Sequence, residues 1–306
     1  MPELPEVHTT TIALNAVLPD LKIIGVWSDW KKQIKNPFSE FEKNILGEKI
    51  ISVKRRGKNI LINLSENKTL LIHMKMTGHL MYGKWEFDKD ARKKHNFKKG
   101  KTISHWRPME NENFKDPFNR FIHFVLNFSN GYQLAFCDAR KFGKIFLFKT
   151  DSPPKEIKKL GPEPLDKNFS FKKFKMALSK KPSGKIKKVL LDQTVVAGIG
   201  NIYSDEILWA VGIHPEETVG NISDNKLKKM FGVMKKILKK SIRLGGDSTS
   251  DYRNIFGERG SFQNHHTVYR RRGEKCKKNK CGGTIHKKIV AGRTAHFCNK
   301  HQKLLI

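Results

Sequence analysis

The hydrophobic pattern of this chain changes its period once, across a proline-rich stretch, and the change limits the fold to two unlike parts. Before residue 151, apolar residues form short runs bounded by turn signals, which is typical of strands in a sandwich or barrel. After residue 166, apolar residues recur with the helical period of about 3.6. The stretch between them, 151–166, carries four prolines that interrupt regular structure. A single all-β or all-α domain is therefore excluded.

The two parts predict an α+β protein. One helix opens the first part, because Pro5 suits a first helical turn and Pro19 ends the pattern. Strands are predicted at 21–27, 49–54, 59–64, 69–74, 121–128, 133–136 and 144–148. Helices are predicted at 172–179, 184–191, 201–211 and 223–244, before a basic β-rich tail. The predicted organisation is an antiparallel β-sandwich domain (1–150), a linker (151–166), a helical domain (167–265) and a small C-terminal module (266–306).

The charge balance indicates a polyanionic partner. The chain has 61 Lys and Arg against 29 Asp and Glu, a formal charge of +32. Basic side chains set against phosphates release condensed counterions, so nucleic acid is the favoured partner. No apolar run approaches the roughly 20 residues of a membrane helix, and the N-terminus lacks the pattern of a signal peptide. We expect a cytoplasmic protein with no membrane partner, associated with the nucleoid if it is bacterial.

Three cysteines and a histidine near the C-terminus predict a metal site. Cys276 and Cys281 are separated by four residues, and Cys298 and His301 by two. Three thiolates and an imidazole suit tetrahedral zinc, and a closed four-ligand site is structural because it leaves no position for substrate. The short gap after Cys298 favours His301 as the fourth ligand. The other histidines of the tail, His286 and His296, remain alternatives.

The N-terminus, MPELPEV, offers a nucleophile. Removal of Met1 would leave Pro2 with a free secondary amine, and its adduct with an aldehyde carbon is a cationic iminium that draws electrons. Glu3 is adjacent and could move protons to and from a sugar, while Glu6 lies in the first turn of the predicted helix. This pattern indicates lyase chemistry.

Eight ordered blocks, spread over nearly the whole chain, resemble the formamidopyrimidine-DNA glycosylase branch of the Fpg/Nei family of base-excision repair enzymes. The blocks are 1–7 (MPELPEV), 56–59 (RGKN), 73–78 (HMKMTG), 138–143 (DARKFG), 160–165 (LGPEPL), 198–203 (GIGNIY), 212–215 (GIHP) and 291–298 (AGRTAHFC). The resemblance implies a helix–two-turn–helix motif in the helical domain and a β-hairpin zinc finger in the tail. It also implies a monomeric enzyme that acts on damaged double-stranded DNA and carries one structural zinc ion.

The activity implied by the resemblance is that of a bifunctional DNA glycosylase and abasic-site lyase. Its substrates would be oxidised purines, namely 8-oxoguanine and ring-opened formamidopyrimidines, and a Schiff base on the N-terminal proline would lead to β,δ-elimination. Pro2 resembles the family's nucleophile and Glu3 its acid/base partner, while Lys58 and Arg293 resemble its phosphate ligands. Met76, Arg140 and Phe142 correspond to the trio that fills the space left by the extruded base. The further DNA-contact positions are Glu6, His73, Lys187, Asn201 and Tyr269.

Some segments depart from the family pattern. The finger has the wider cysteine spacing and His301 as a ligand, and the turn 138–143 has Ala139 and Lys141 where proline and arginine are common. The connection 84–119 is longer than usual and rich in Lys and Arg, so it is either an extra DNA contact or, as we favour, a disordered arm. The loop 247–266 occupies the place of the lesion-reading loop, and its hydroxyl-bearing residues are Ser248, Thr249, Ser250 and Tyr252.

Two other functions remain open at this stage. An enzyme of the endonuclease VIII type would prefer oxidised pyrimidines; Leu4 and the turn with Arg140 and Phe142 argue against it. A catalytically inactive, zinc-stapled DNA-binding protein would have the same composition and finger. Covalent trapping on damaged DNA distinguishes an enzyme from a protein that only binds.

Overall fold

The computed structural model describes residues 1–89 and 105–304. Its helices are α1 (Leu4–Val17), α2 (Phe38–Ile45), α3 (Lys155–Lys158), α4 (Phe171–Ser179), α5 (Ile186–Leu191), α6 (Asn201–Val211) and α7 (Asp224–Arg243). Its strands are β1 (Ile23–Ser28), β2 (Ile50–Arg56), β3 (Asn59–Leu64), β4 (Lys68–His73), β5 (His79–Gly83), β6 (Trp85–Phe87), β7 (Trp106–Pro108), β8 (Ile122–Phe128), β9 (Gln133–Cys137), β10 (Lys144–Lys149), β11 (Ile285–Val290) and β12 (Arg293–Cys298).

Internal contacts divide the chain into two compact units. The first unit comprises Met1–Pro154 and Gly245–Ser261, and the second comprises Lys155–Leu244 and Phe262–Ile306. The sequence boundaries assigned residues 245–261 to the helical domain, whereas the contacts group them with the sandwich. The chain therefore returns to its first unit after α7.

Two four-stranded antiparallel sheets form the first unit. Their strand orders are β1-β8-β9-β5 and β10-β4-β3-β2. Strand β3 alternates between partly exposed and buried residues, as expected when one face of a sheet packs on a core. The core contains buried side chains from both sheets, among them Ile62 and Ile72 from one and Phe124 and Phe136 from the other. The predicted antiparallel sandwich is confirmed.

Helix α1 is held by its first turn and by its buried face. Pro5 lies at its N-terminal end, where a missing N–H costs no hydrogen bond. Val7 and Leu14 lie on one face of the helix, and both are fully buried in the sandwich core. Burying an aliphatic side chain of this size contributes about 1.5–3 kcal/mol, so the core fixes the helix that carries the N-terminus.

The second unit consists of helices followed by a β-hairpin. Helix α6 ends at Gly212, which takes the left-handed conformation (φ 70°) that favours glycine at a helix C-terminus. Strands β11 and β12 pair from Ile285 opposite Cys298 to Val290 opposite Arg293. The two turn residues, Ala291 and Gly292, both have positive φ, as a tight hairpin turn of matching twist requires. The helical part and the C-terminal hairpin are as predicted.

The sequence missed several short elements. Helix α2 has only eight residues and buries just Phe41 and Ile45, too few to give a helical period. Strand β5 and the hairpin β6–β7 were also missed. The central part of the basic connection, 90–104, lies outside the described residues, so the prediction of a disordered arm is not tested there. The described flanks are ordered, since Trp85, Trp106 and Phe114 form a second buried cluster on the sandwich.

A membrane-spanning helix would need about 20 apolar residues. No helix within 1–89 and 105–304 is long and apolar enough to cross a membrane.

Candidate functional site

The N-terminal residues are fixed by a reciprocal capping box. The side chain of Glu3 accepts a hydrogen bond from the backbone N–H of Glu6, and Glu6 Oε2 accepts one from the N–H of Glu3 at 2.7 Å. Pro2 is buried, and both carboxylates are 99% buried. Two N–H groups that a helix start leaves unsatisfied are thereby bonded. The predicted nucleophile and its predicted acid/base partner thus occupy a rigid turn.

The loop 245–261 closes over this turn. Glu6 Oε1 accepts the N–H of Asp247 at 2.8 Å, and the Tyr252 hydroxyl donates to the Glu6 carbonyl at 3.1 Å. Burial raises the pKa of Tyr252, so the phenol stays protonated and can donate. A side chain at Gly246 (φ 85°) would meet Glu6 at 3.0 Å. Glu6 is therefore the contact between the N-terminal turn and this loop.

Lys58 and His73 form a second group in the same unit. Lys58 follows Gly57 in the β2–β3 turn and is only 7% exposed, so it is not the solvated lysine of an ordinary turn. His73 Nδ1 accepts the N–H of Lys75 at 3.0 Å. Burial, and then the charges of Lys75 and Lys58, lower the pKa of His73 to about 3. His73 is therefore neutral at pH 7, beside two ammonium groups suited to an anion.

The predicted void-filling residues lie on two adjoining loops. Phe142 is 50% exposed, a large apolar side chain in water, and the Arg140 guanidinium lies 4.5 Å from the centre of its ring. Met76 is half-buried on the other loop. An exposed ring and guanidinium held together can enter a base stack, which apolar wedge residues do in DNA-bending proteins. Phe142 is therefore not a core residue.

Asp138, which the sequence did not single out, organises these loops. Its fully buried carboxylate accepts the hydroxyl of Thr77 and the N–H of Gly143, the latter at 2.7 Å. The N–H of Arg140 donates to Thr77 Oγ1 at 3.1 Å. A single buried anion thus bonds both loops, and a buried carboxylate without such donors would be costly. The signal available in the sequence was an acid directly after an apolar strand.

Helix α6 carries a second buried acidic pair. Asp205 accepts the N–H of His296 at 2.9 Å and pairs with the Lys187 ammonium. The neighbouring Glu206 accepts three consecutive backbone N–H groups, from Thr267 to Tyr269, at 2.9–3.1 Å. These bonds attach the C-terminal module to α6. Two adjacent acids inside an apolar helix were the sequence signal for this function.

The structure corrects the prediction that Lys187 contacts DNA. Its side chain is 0% exposed, and its ammonium bonds Asp205 and Ser204 Oγ. A charge that is fully buried needs such a partner, so no surface is left for a phosphate. Tyr269 remains a candidate, because it is half-buried and its ring packs edge-on against His296 at 5.2 Å. Asn201 is the first residue of α6, where N–H groups point out of the helix and can bind phosphate.

Four ligand atoms in the second unit could hold a metal ion. Sulfur or nitrogen atoms of Cys276, Cys281, Cys298 and His301 all lie within 4.8 Å of one another. His301 Nδ1 is 3.5 Å from two of the sulfurs, close to the edge length expected for tetrahedral zinc. Burial lowers the pKa of His301, which favours the neutral imidazole that binds metals. The rival His296 is engaged by Asp205 and is outside this cluster, as is His286.

The cluster has the outer hydrogen bonds that usually orient metal ligands. His301 Nε2 lies 3.0 Å from the Trp209 carbonyl, so Nδ1 is left to face the sulfurs. The Trp209 indole N–H donates to Cys276 Sγ at 3.3 Å. Arg293 lies exposed at the tip of the hairpin whose other end carries Cys298. The four possible ligands thus lie at the base of a hairpin that presents an arginine to solvent.

Comparisons with known proteins match both parts of the chain. A family model for the formamidopyrimidine-DNA glycosylase N-terminal domain matches residues 1–145, and one for the H2TH domain of formamidopyrimidine-DNA glycosylase matches residues 160–253. A formamidopyrimidine-DNA glycosylase of Pelotomaculum thermopropionicum is 38% identical, over 99% of this chain and 100% of that protein. One of Bacillus subtilis is 35% identical, over 99% of both.

Comparisons with solved structures match the same family. A complex between Lactococcus lactis Fpg and DNA with an abasic site has a TM-score of 0.81 at 33% identity, covering 98% of this chain and 99% of that chain. A complex of a Lactococcus lactis Fpg mutant with DNA containing Fapy-dG also has a TM-score of 0.81, at 34% identity, covering 99% and 100%. Matched in both of its parts and along nearly all of its length, this chain belongs to the formamidopyrimidine-DNA glycosylase family of DNA repair enzymes.

Proposed function

We propose that the protein is a bifunctional DNA glycosylase and abasic-site lyase for oxidised purines, 8-oxoguanine and formamidopyrimidines, in duplex DNA. The observation that carries the proposal is the capping box at the N-terminus, which holds the buried side chains of Glu3 and Glu6 directly after Pro2 in the chain. A Lactococcus lactis Fpg mutant that is 34% identical to this chain was solved on DNA containing Fapy-dG, which supports the proposed substrate class. A nucleophile held by a helix start in one geometry has little conformational freedom to lose on reaction.

The proposed reaction begins once Met1 has been removed. The Pro2 nitrogen attacks C1′ of the damaged nucleoside, and the base leaves with the electron pair of the glycosidic bond. Opening of the sugar ring leaves an iminium, which acidifies the C2′ proton; Glu3 is the proposed group that moves protons at the sugar. Loss of that proton expels the 3′ phosphate, and a second elimination expels the 5′ phosphate. Water then releases Pro2.

The other site residues have binding functions in this proposal. Lys58 and Arg293 bind phosphates flanking the lesion, while His73, Asn201 and Tyr269 supply further backbone contacts. Met76, Arg140 and Phe142 fill the space left by the extruded base, and the guanidinium suits the acceptor edge of the orphaned cytosine. The metal is proposed to be zinc, because three thiolates and one imidazole are a zinc donor set. It holds the finger and takes no part in the chemistry. We expect a cytoplasmic monomer.

Borohydride trapping tests the nucleophile. We expect the wild-type protein to become covalently joined to duplex DNA with 8-oxoguanine or a preformed abasic site. Pro2→Gly, which leaves a primary amine, should lower trapping and strand cleavage by at least about tenfold, because one activated nucleophile is lost while undamaged-duplex binding persists. Pro154→Gly is the matched control, since it makes the same exchange away from the N-terminus and should trap normally.

Each rival function has its own result in this experiment. Equal loss of binding and trapping in Pro2→Gly would show that Pro2 is structural. A wild-type protein that binds but never traps would be a DNA-binding protein without lyase activity. Faster excision of oxidised pyrimidines than of 8-oxoguanine would favour the endonuclease VIII type.

A further inference from the structure

The described end of the long basic connection packs on the loop that closes over the N-terminal turn. We call residues 109–119 the buttress and residues 247–258 the closing loop; both belong to the first unit. Both carboxylate oxygens of Asp116 accept hydrogen bonds from the Arg253 guanidinium, three in all, at 2.9, 3.1 and 3.2 Å. The Arg253 side chain is only 3% exposed. A buried guanidinium needs a bidentate anion of this kind, so Asp116 fixes the place of Arg253.

Backbone contacts extend along the same interface. Gly257 (φ 80°) lies so close to the buttress that a side chain there would meet Phe114 at 2.8 Å and Asn119 at 2.9 Å. The Asn119 amide donates to the Gly257 carbonyl at 3.3 Å, and Asn111 donates to the Phe256 carbonyl at 3.1 Å. The closing loop is therefore held by main-chain as well as side-chain bonds.

The buttress is itself fixed to the sandwich. Phe114 is buried in the cluster that contains Trp85 and Trp106, with its ring 4.7 Å from that of Trp85. Asn119 Oδ1 bonds His79 Nε2 at 2.9 Å on strand β5. The buttress is thus a fixed support on which the closing loop rests.

The closing loop is attached to the N-terminal turn at its other side. Asp247 and Tyr252 bond Glu6, which in turn bonds Glu3, and Ile255 is buried in the sandwich core. Between these anchors, residues 249–251 keep half-exposed side chains. Thr249 Oγ1 is a buried polar atom without a hydrogen-bond partner among the described residues. The segment beside the N-terminal turn thus retains hydrogen-bonding capacity.

We propose that Asp116 and Arg253 are positioning residues that hold the closing loop in its base-reading shape before DNA binds. The inference rests on the proposed function, because the loop adjoins Pro2 through Glu6. A loop that is already ordered loses less conformational freedom when a damaged base is seated. The expected consequence is selective: base excision depends on the loop, whereas cleavage of a preformed abasic site, which has no base to seat, does not.

The test compares two substrates under single-turnover conditions. In Asp116→Asn, the Arg253 charge loses its anion, and we expect excision of 8-oxoguanine to slow by about tenfold while cleavage of a preformed abasic site stays within about twofold. Hydrogen exchange of the free protein should accelerate in residues 247–258. Asp116→Glu keeps the carboxylate and should recover part of the excision rate.

Two further variants separate an effect of the ion pair from an effect of charge alone. Glu112→Gln is the matched control, because it removes the same charge from the same segment at an exposed ion pair with Lys115, and it should behave as the wild type. Gly257→Ala leaves the ion pair in place but pushes the closing loop from Phe114, so it should produce the same split between substrates.

Several results would overturn the inference. Unchanged excision and unchanged loop exchange in Asp116→Asn would do so, as would equal losses on both substrates, which indicate a merely structural residue. A wild-type protein that is inactive on both substrates would contradict the proposed function instead. Hydrogen exchange of the closing loop would then still decide whether Asp116 and Arg253 order that loop.

Discussion

At the scale of single residues, buried carboxylates hold the loops that carry the proposed chemistry. The chain has fewer than half as many acids as bases, yet Glu3, Glu6, Asp138, Asp205 and Glu206 are all at least 97% buried. Each accepts backbone N–H groups, as a buried anion must if it is not to raise the free energy of the folded state. These acids therefore hold backbone segments in place, among them the turn that carries Arg140 and Phe142.

Asp138→Ala tests the positioning role of a buried carboxylate at the turn that bears Arg140 and Phe142. Removing the carboxylate leaves the N–H of Gly143 and the Thr77 hydroxyl without their acceptor, so we expect a loss of about 1–3 kcal/mol in the free energy of unfolding. Excision should fall further than the loss of stability alone explains, since Arg140 and Phe142 are no longer fixed. Thermal unfolding and single-turnover excision are the measurements. Thr77→Ser keeps the hydroxyl and is the control; normal excision by Asp138→Ala would contradict the assigned role.

At the scale of elements, the metal cluster and helix α6 form one connected structure. Trp209 on α6 bonds His301 through its carbonyl and Cys276 through its indole. The same helix begins at Asn201, a predicted phosphate contact. Asp205 and Glu206 add bonds from α6 to the C-terminal module. The C-terminal hairpin and the start of α6, where the phosphate contact is predicted, should therefore respond together to loss of the metal.

Metal removal is the corresponding prediction. We expect zinc to bind in a single equivalent and chelation to unfold the hairpin, because finger folding depends on metal binding free energy. Hydrogen exchange should accelerate in β11, β12 and α6, and His301→Ala should reproduce the change without chelator. Cys137→Ala is the control, since Cys137 is buried in the sandwich and lies outside the cluster. Full zinc retention by His301→Ala would return His286 or His296 to consideration.

At the scale of the whole molecule, the formal charge of +32 dominates binding to a polyanion. Counterion release gives a free energy that depends on salt but not on base sequence. Lesion recognition therefore has to come from local geometry at the site. The net charge accounts for affinity for a polyanion in general, and under the proposed function we expect selectivity to come from the closing loop and from Met76, Arg140 and Phe142.

Duplex binding should weaken with salt by about 0.9 logarithmic units per tenfold change for each phosphate neutralised. Arg293→Gln removes one predicted contact and should lower the slope of the logarithmic plot by about one such increment. Fluorescence anisotropy over a salt series measures it. Lys175→Gln is the control, because Lys175 pairs with Asp224 on the surface. An unchanged slope in Arg293→Gln would exclude that arginine as a phosphate ligand.

The sequence by itself determined the features that reside in short, continuous stretches. The N-terminal MPELPEV, the finger ligands and the long helix α7 could be predicted, because each is specified by neighbouring residues or by a period repeated over several turns. Short elements such as α2 could not, since eight residues repeat a period too few times. The family and the cluster of possible metal ligands thus followed from local patterns.

The tertiary structure alone decided which charges are buried and which distant residues meet. The family resemblance places Lys187 among the DNA contacts, yet Asp205 holds it in the interior. Asp116 and Arg253 are 137 residues apart and become a pair only because the chain returns to its first unit after α7. Burial and long-range pairing depend on the path of the whole chain, and that path is set by packing of the core and not by any local motif.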